Sequence, residues 1–125
     1  NAGFSKADST WLPVNPNYKE INVEEALKDP YSIFYTYQKL VDLRKKRDWL
    51  VDADFKLLET EEKVFAYTRE TDLEKYLIVV NFSGESQDFD LEEDYTDIVI
   101  SNTDVKEVKN SGKLKAWDAF CVKIK

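Results

Sequence analysis

The 125-residue chain is 42% apolar, enough for one continuous hydrophobic core, and its 18 basic against 25 acidic residues leave a formal charge of −7 that repels phosphate backbones and argues against a nucleic-acid partner. With no histidine and one cysteine, Cys121, it lacks the usual zinc ligands, the imidazole on which most nucleophilic triads depend, and any intrachain disulfide framework. No segment approaches the roughly 18 consecutive apolar residues of a membrane-spanning helix, so a cytoplasmic chain free of metal and cofactor is expected.

The absence of methionine implies that the chain does not begin at a translation start. It is expected to be a processed or cut piece, with Asn1 and Ala2 either native or the remnant of a tag. Residues 1 to 21 contain Gly3, Pro13 and Pro16, and the two X-Pro steps push Leu12 and Asn15 toward extended backbone. The apolar side chains of Trp11, Leu12, Val14 and Tyr18 suggest an irregular segment laid down on another surface.

Asn22 is placed to cap a short helix through Glu24, Glu25 and Leu27, with both acids at the positive end of the helix dipole. Asp29 is then expected to cap a longer helix with Pro30 in its first position. Along it Ile33, Phe34, Tyr37, Leu40 and Val41 form one apolar stripe, and Arg44, Lys45, Lys46 and Arg47 fall where cations complement the terminal carbonyls.

Near Trp49 the pattern changes to short β-type runs, which sets the expected domain boundary: residues 1–48 before it, a β domain at 49–125 after it. Ala53, Phe55 and Leu57 alternate with Asp54 and Lys56. Val64, Ala66 and Thr68 alternate with Phe65, Tyr67 and Arg69, and Tyr76 to Phe82 reads as a central strand closed by a turn at Ser83, Gly84 and Glu85. Phe89 with Leu91, Ile98 with Ile100, and Val105 with Val108 mark weaker strands. A turn at Asn110, Ser111, Gly112 and Lys113 precedes the last strand, in which Phe120, Val122 and Ile124 alternate with Cys121, Lys123 and Lys125. The spacing predicts a mainly β chain ending in an antiparallel sandwich of eight or nearly eight strands.

Candidate chemistry is sparse. Glu59, Glu61 and Glu62, and Glu92, Glu93 and Asp94, sit in turns and read as solvated charge; no catalytic residue is assigned. Asp90 to Asp97 loosely alternates oxygen ligands but lacks the glycine and terminal glutamate of a calcium loop. Asn81-Phe82-Ser83 matches a glycosylation sequon by coincidence of common residues, and Cys121 reads as a small sheet residue. Trp49 and Trp117 suit packing, the alternative being sugar stacking in a carbohydrate-binding module.

Several stretches carry a family likeness: Asn1-Ala2-Gly3-Phe4-Ser5; Trp11-Leu12-Pro13-Val14-Asn15-Pro16-Asn17-Tyr18; Ile21-Asn22-Val23-Glu24; Asp29-Pro30-Tyr31-Ser32-Ile33-Phe34 through Leu40, Leu43, Arg44 and Lys45; and Val79-Val80-Asn81-Phe82-Ser83. Together they resemble the C-terminal part of the alpha-amylase family of glycoside hydrolases, in its oligo-1,6-glucosidase and dextran glucosidase branch. Lys6 to Thr10 and Ala116-Trp117-Asp118-Ala119 depart from the usual pattern. The resemblance implies a loop and one or two helices from the end of a (β/α)8 barrel, followed by a C-terminal β domain that covers part of that barrel. It also implies a parent enzyme that cleaves α-glucosidic bonds with retention through an aspartate nucleophile and a glutamate acid/base on earlier barrel strands. None of those positions lies in this chain, so the chain alone is expected to be inactive, and the rest of the barrel is its expected partner. Gly3, Phe4 and Ser5 would stand near the active-site rim. Without the barrel the stripe of Ile33, Phe34, Tyr37, Leu40 and Val41 is expected to repack or self-associate. Isomaltose-type oligosaccharides, trehalose 6-phosphate and sucrose all stay open as substrates of the parent.

Overall fold

The computed structural model describes residues 5–90, 93–103, 108 and 111–125. The chain divides into two compact units, Asn1–Tyr37 and Gln38–Lys125.

In the first unit the Asn15 side chain accepts the Asn17 N–H (3.2 Å) and opens a single 3-10 turn, Pro16–Lys19. Asn22 caps α1 (Val23–Ala26) as expected: its Oδ1 accepts the Glu25 N–H at 2.9 Å while its Nδ2 donates to the Tyr18 carbonyl at 2.9 Å. The next helix, α2 (Ile33–Lys46), whose residues from Gln38 onward belong to the second unit, begins three residues later than Pro30, where the sequence placed it. Asp29 spends its carboxylate on the Tyr31 N–H (2.9 Å) and its carbonyl on the Ser32 N–H (3.0 Å), so it makes a tight turn instead of a helix cap. The helix is entered at Ser32, whose carbonyl accepts the Thr36 N–H and whose hydroxyl donates to the Ala26 carbonyl at 2.7 Å. Arg44, Lys45 and Lys46 occupy the last turn. The stripe of Ile33, Phe34, Tyr37, Leu40 and Val41 is exposed, and so is Trp11 in the preceding loop.

The second unit is built on seven strands among the described residues, after a one-turn helix α3 (Trp49–Asp52). They are β1 (Asp54–Leu57), β2 (Val64–Glu70), β3 (Lys75–Asn81), β4 (Gln87–Asp90), β5 (Tyr95–Ser101), β6 (Ser111–Leu114) and β7 (Ala119–Ile124). A five-stranded antiparallel sheet runs β1-β2-β3-β7-β5, and β4 and β6 pair as a second, two-stranded sheet. The chain is thus mainly β, an antiparallel C-terminal β-sandwich preceded by a loop and helices.

Period-two alternation sorts the large sheet's side chains. Val64, Ala66, Leu77, Val79, Phe120, Val122 and Ile124 point inward and meet Val108 and Leu114, with Phe89, Tyr95 and Ile98 packed around them. On the opposite face Trp49, Ala53, Tyr76 and Cys121 form a second, smaller cluster. The expected turn at Ser111 to Lys113 is instead strand β6, in register with β4 through Phe89 opposite Gly112 and Gln87 opposite Leu114. Ser-Gly-Lys has turn chemistry, but a long-range partner strand offers its backbone groups a ladder, and tertiary pairing overrides the local preference. Asn110 in that turn, and Leu91 and Val105 among the expected strand residues, lie outside the described residues.

Candidate functional site

At the end of β3 lies the most heavily bonded polar position of the sandwich. Asn81 is 1% exposed. Its amide nitrogen donates to the carbonyls of Glu85 and Lys115, both at 2.8 Å, and its Oδ1 accepts from the Ser83 N–H (3.0 Å) and the Ser83 hydroxyl (2.8 Å). All four hydrogen-bonding valences of the amide are therefore used, tying the turn after β3 to the turn between β6 and β7. Because the nitrogen is buried and committed, the Asn81-Phe82-Ser83 sequon has no acceptor to offer in the folded chain.

The second turn carries Trp117, whose backbone sits at φ 62°, in the left-handed region that a bulky side chain enters only under outside constraint. The constraints are visible. The Trp117 N–H donates to the Ser83 carbonyl (3.1 Å), its carbonyl accepts from Asn102 Nδ2 (2.8 Å), and the buried Asp118 side chain accepts the Lys115 N–H (2.8 Å). The indole lies beside Gly84, at ordinary van der Waals distance from where a Cβ would stand, and remains 60% exposed.

Trp49, the other indole singled out in the sequence, is 6% exposed and stacks on Tyr76 with centroids 3.8 Å apart and planes 12° from parallel. Arg69 reaches across from β2 to donate to the carbonyls of Trp49, Leu50 and Val51 at 3.4, 3.5 and 3.2 Å, closing the C-terminal end of α3. The structure therefore separates the two tryptophans, one packed and one exposed on a rigid turn. Gly3 and Phe4 lie outside the described residues; Ser5 Oγ accepts the Ala7 N–H at 3.1 Å.

Two carboxyls, Glu74 and Glu85, are held below the ordinary value by neighbouring lysines. Glu74, in the β2–β3 hairpin, is hydrogen-bonded by Lys123 and by the Tyr76 hydroxyl (2.8 Å), and Lys123 first and Tyr76 second hold its carboxyl below the ordinary value of 4.5. Lys63 does the same for Glu85. Burial pushes the Tyr76 phenol up to about 12, helped by the hydrogen bond to Glu74, and burial alone pushes the Cys121 thiol up to about 12, so both stay protonated and inert at neutral pH. A general acid for glycoside cleavage needs a carboxyl raised toward neutrality, the opposite of what Glu74 and Glu85 show. Of the acidic turns, Glu93 pairs with Lys75 and Asp94 with Lys125 (3.3 Å). Among the described residues no three ligating side chains converge on one point, and no helix is long and apolar enough to cross a membrane.

The Glu74 geometry has a measurable consequence. A carboxylate held below its ordinary value stabilises the fold at pH values above that of the unfolded chain, and the contribution is lost as pH falls through the folded value. Urea midpoints of the parent chain should therefore drop on acidification below about pH 4.5 more steeply than those of Glu74→Gln, which should already be lower at pH 7. Parallel acid limbs for the two proteins would refute this role.

Two family models match in tandem: the alpha-amylase catalytic domain over residues 1–53 and the alpha-amylase SusG C-terminal domain over residues 64–119. The chain is 56% identical over 124 residues to the glucan 1,6-alpha-glucosidase of Streptococcus dysgalactiae subsp. equisimilis, covering 99% of this chain and 23% of that protein. It is 41% identical over 132 residues to the oligo-1,6-glucosidase of Parageobacillus thermoglucosidasius, again 23% of the relative. The crystal structure of Bacillus licheniformis trehalose-6-phosphate hydrolase superposes with a TM-score of 0.80 at 39% identity, over 91% of this chain and 22% of that one. The chain thus spans less than a quarter of the length of the relatives it matches.

Proposed function

The chain belongs to the alpha-amylase family of glycoside hydrolases, and from that premise we propose that it is the non-catalytic C-terminal portion of a cytoplasmic bacterial α-glucosidase acting on α-1,6-linked oligosaccharides. The observation that carries this reading is the tandem match, catalytic domain at 1–53 and C-terminal domain at 64–119. A 1,6-glucosidase parent is favoured over a trehalose-6-phosphate hydrolase by the identities, 56% to the streptococcal glucan 1,6-alpha-glucosidase against 31% to the trehalose-6-phosphate hydrolase of Bacillus subtilis.

Its role is mechanical. The apolar stripe of α2 lies within the catalytic-domain match and stands exposed, so in the parent it packs against the rest of the barrel. The sandwich anchors the end of that helix-bearing segment through Trp49. With no barrel present, Ile33, Phe34, Tyr37, Leu40 and Val41 bring copies of the chain together.

A second reading is favoured by one observation: Trp117 is held rigidly with its indole exposed, as a sugar-stacking ring would be. Two measurements with isomaltose test these readings. Purified chain incubated with isomaltose should release no glucose; turnover would overturn the non-catalytic assignment. Isomaltose added to the labelled chain should leave its NMR spectrum unchanged, whereas a saturable shift of the Trp117 indole resonance would replace the mechanical reading with a carbohydrate-binding one.

A further inference from the structure

Charge on the large sheet gathers beside the segment that leads from α2 into β1. Strand register sets Arg69, Tyr76, Lys123 and Asp97 in one row across β2, β3, β7 and β5. Tyr76 is the buried member of that row: the Trp49 indole stacks on its ring at 3.8 Å, and Lys123 Nζ lies 5.9 Å from the ring centroid. Glu74, in the β2–β3 hairpin, draws these groups together by accepting hydrogen bonds from Lys123 Nζ and from the Tyr76 hydroxyl (2.8 Å). Arg47, in the short link between α2 and α3, adds a positive charge that acts on both Glu74 and Tyr76. One carboxylate therefore faces two cations, one on the sheet and one on the segment that carries α3.

We infer that Glu74 is an acid-operated latch: its carboxylate keeps α3 closed over Tyr76 and Cys121, and its protonation releases α3 while the sandwich stays folded. A one-turn helix does not persist unaided, so α3 depends on what fastens it to the sheet. Neutralising Glu74 leaves Lys123 and Arg47 around one ring without the carboxylate between them, and like charges repel. No other charge in the row takes its place. Asp97 stands beyond Lys123 on β5, Arg69 is committed to the α3 carbonyls, and Lys75 is paired with Glu93. Asp48 and Asp52 travel with α3 and so cannot tie it down. Lys123 first, then Tyr76, with Arg47 the smallest contributor, hold the Glu74 carboxyl below its ordinary value of 4.5. The Arg47 share disappears once α3 leaves, so the open state binds the proton more tightly; closure is favoured above about pH 4.5 and weakens as pH falls through the closed-state value. The buried cluster on the opposite face, from Val64 to Ile124, contains no carboxylate, which keeps the effect local. Because residues 1–53 match the catalytic domain, the latch joins the end of that segment to the sandwich.

Cys121 is a built-in reporter, the one cysteine of the chain, 4% exposed and clustered with Trp49, Ala53 and Tyr76. Its labelling by 4,4′-dithiodipyridine, a reagent that also reads thiols in acid, is followed from pH 7 to pH 3.5 in the 125-residue chain. Each rate is divided by that of the urea-unfolded chain at the same pH, which removes the reagent's own pH dependence. The ratio should rise at least about threefold between pH 6 and pH 3.5. In Glu74→Gln it should already be high at pH 6 and stay flat, and Arg47→Met, which removes the charge on the moving segment, should flatten the acid rise as well. Hydrogen exchange at the Val79 and Val122 amides is measured alongside and should keep its protection over the same range. Loss of that protection in step with Cys121 labelling would show global unfolding and overturn the latch. So would a flat ratio in the parent chain, or the same acid rise in parent and Glu74→Gln. Should Glu74→Gln fail to fold, Arg47→Met decides alone: an undiminished acid rise in it would overturn the proposal.

Discussion

Asn81→Asp is expected to destabilise the sandwich by about 3–5 kcal/mol at pH 7, a large part of the roughly 5–15 kcal/mol that holds a typical domain. The two side chains are nearly the same size, so packing is preserved and the effect is one of polarity. Where the native amide donates to the carbonyls of Glu85 and Lys115 at 2.8 Å, the carboxylate would present an acceptor to two acceptors, at a position 1% exposed. The Lys115 carbonyl keeps the Asp118 N–H (3.2 Å) and the Glu85 carbonyl keeps the Ser83 hydroxyl (3.1 Å), so the cost lies mostly in the buried carboxylate facing them, about 3–5 kcal/mol for an uncompensated buried charge. The variant should escape part of this by keeping its proton. Its folded-state pKa would then exceed the unfolded one, and the sign follows: the deficit is largest at neutral pH and narrows as pH falls toward 4, where the protonated acid regains one donor. Asn81→Ala, which leaves the Ser83 N–H unmet and takes one of two donors from each carbonyl, should lose about 1–3 kcal/mol with no such pH dependence. Urea unfolding followed by tryptophan fluorescence reads all three proteins. An Asn81→Asp midpoint within experimental error of the parent would mean that the two turns are held by their own backbone bonds, not by this amide.

How far these features are legible in the sequence depends on the range of the interactions behind them. Strands β2, β3 and β7 are readable because each presents a run of alternating or continuous apolar residues that the pleat sorts without outside help. The Asn22 cap is readable for the same reason, since every bond it makes lies within four residues. Strand β6 is not: Ser111-Gly112-Lys113 carries turn chemistry, and what makes it a strand is β4, more than twenty residues away. The start of α2 is misread because Asp29-Pro30 satisfies a capping pattern equally well as a turn, and only Ser32 and its bond to Ala26 decide between them. Asn81 leaves a faint signal, a polar amide at the end of a seven-residue strand otherwise rich in apolar residues and followed by Ser83-Gly84. Nothing in Ala116-Trp117-Asp118 announces a left-handed tryptophan, because the constraint comes from Ser83 and Asn102, in the turns that follow β3 and β5. That Phe55, Phe65 and Phe82 stand exposed is not legible, since alternation in β1 and β2 says which residues share a face and not whether that face is covered.

Trp49→Ala should cost about 3–5 kcal/mol, the range for removing a large aromatic from a packed core, and Trp49→Phe only about 1–2 kcal/mol. The separation between them follows from what the indole does. It is 6% exposed, stacks on Tyr76 at 3.8 Å and packs with Ala53 and Cys121, so alanine opens a cavity between α3 and the sheet. Phenylalanine keeps a ring over Tyr76. It also removes a liability, because the indole Nε1 is buried without a hydrogen-bond partner, and deleting an unpaired buried donor returns on the order of 1 kcal/mol. A one-turn helix has too few internal hydrogen bonds to persist unaided. Once Trp49 is truncated, α3 should therefore detach, and the three carbonyls gathered by Arg69 should lose their donor together. Hydrogen exchange locates the damage: amides of Val51, Asp52 and Ala53, which bond to Asp48 and Trp49, should exchange far faster in Trp49→Ala while those of Val79 and Val122 change only with global stability. If Trp49→Ala and Trp49→Phe were equally stable, ring packing would not be what fastens α3 to the sheet. If the core amides accelerated as much as those of α3, the tether would be part of the folding core, and the segment matching the catalytic domain could not loosen from the sandwich without unfolding it.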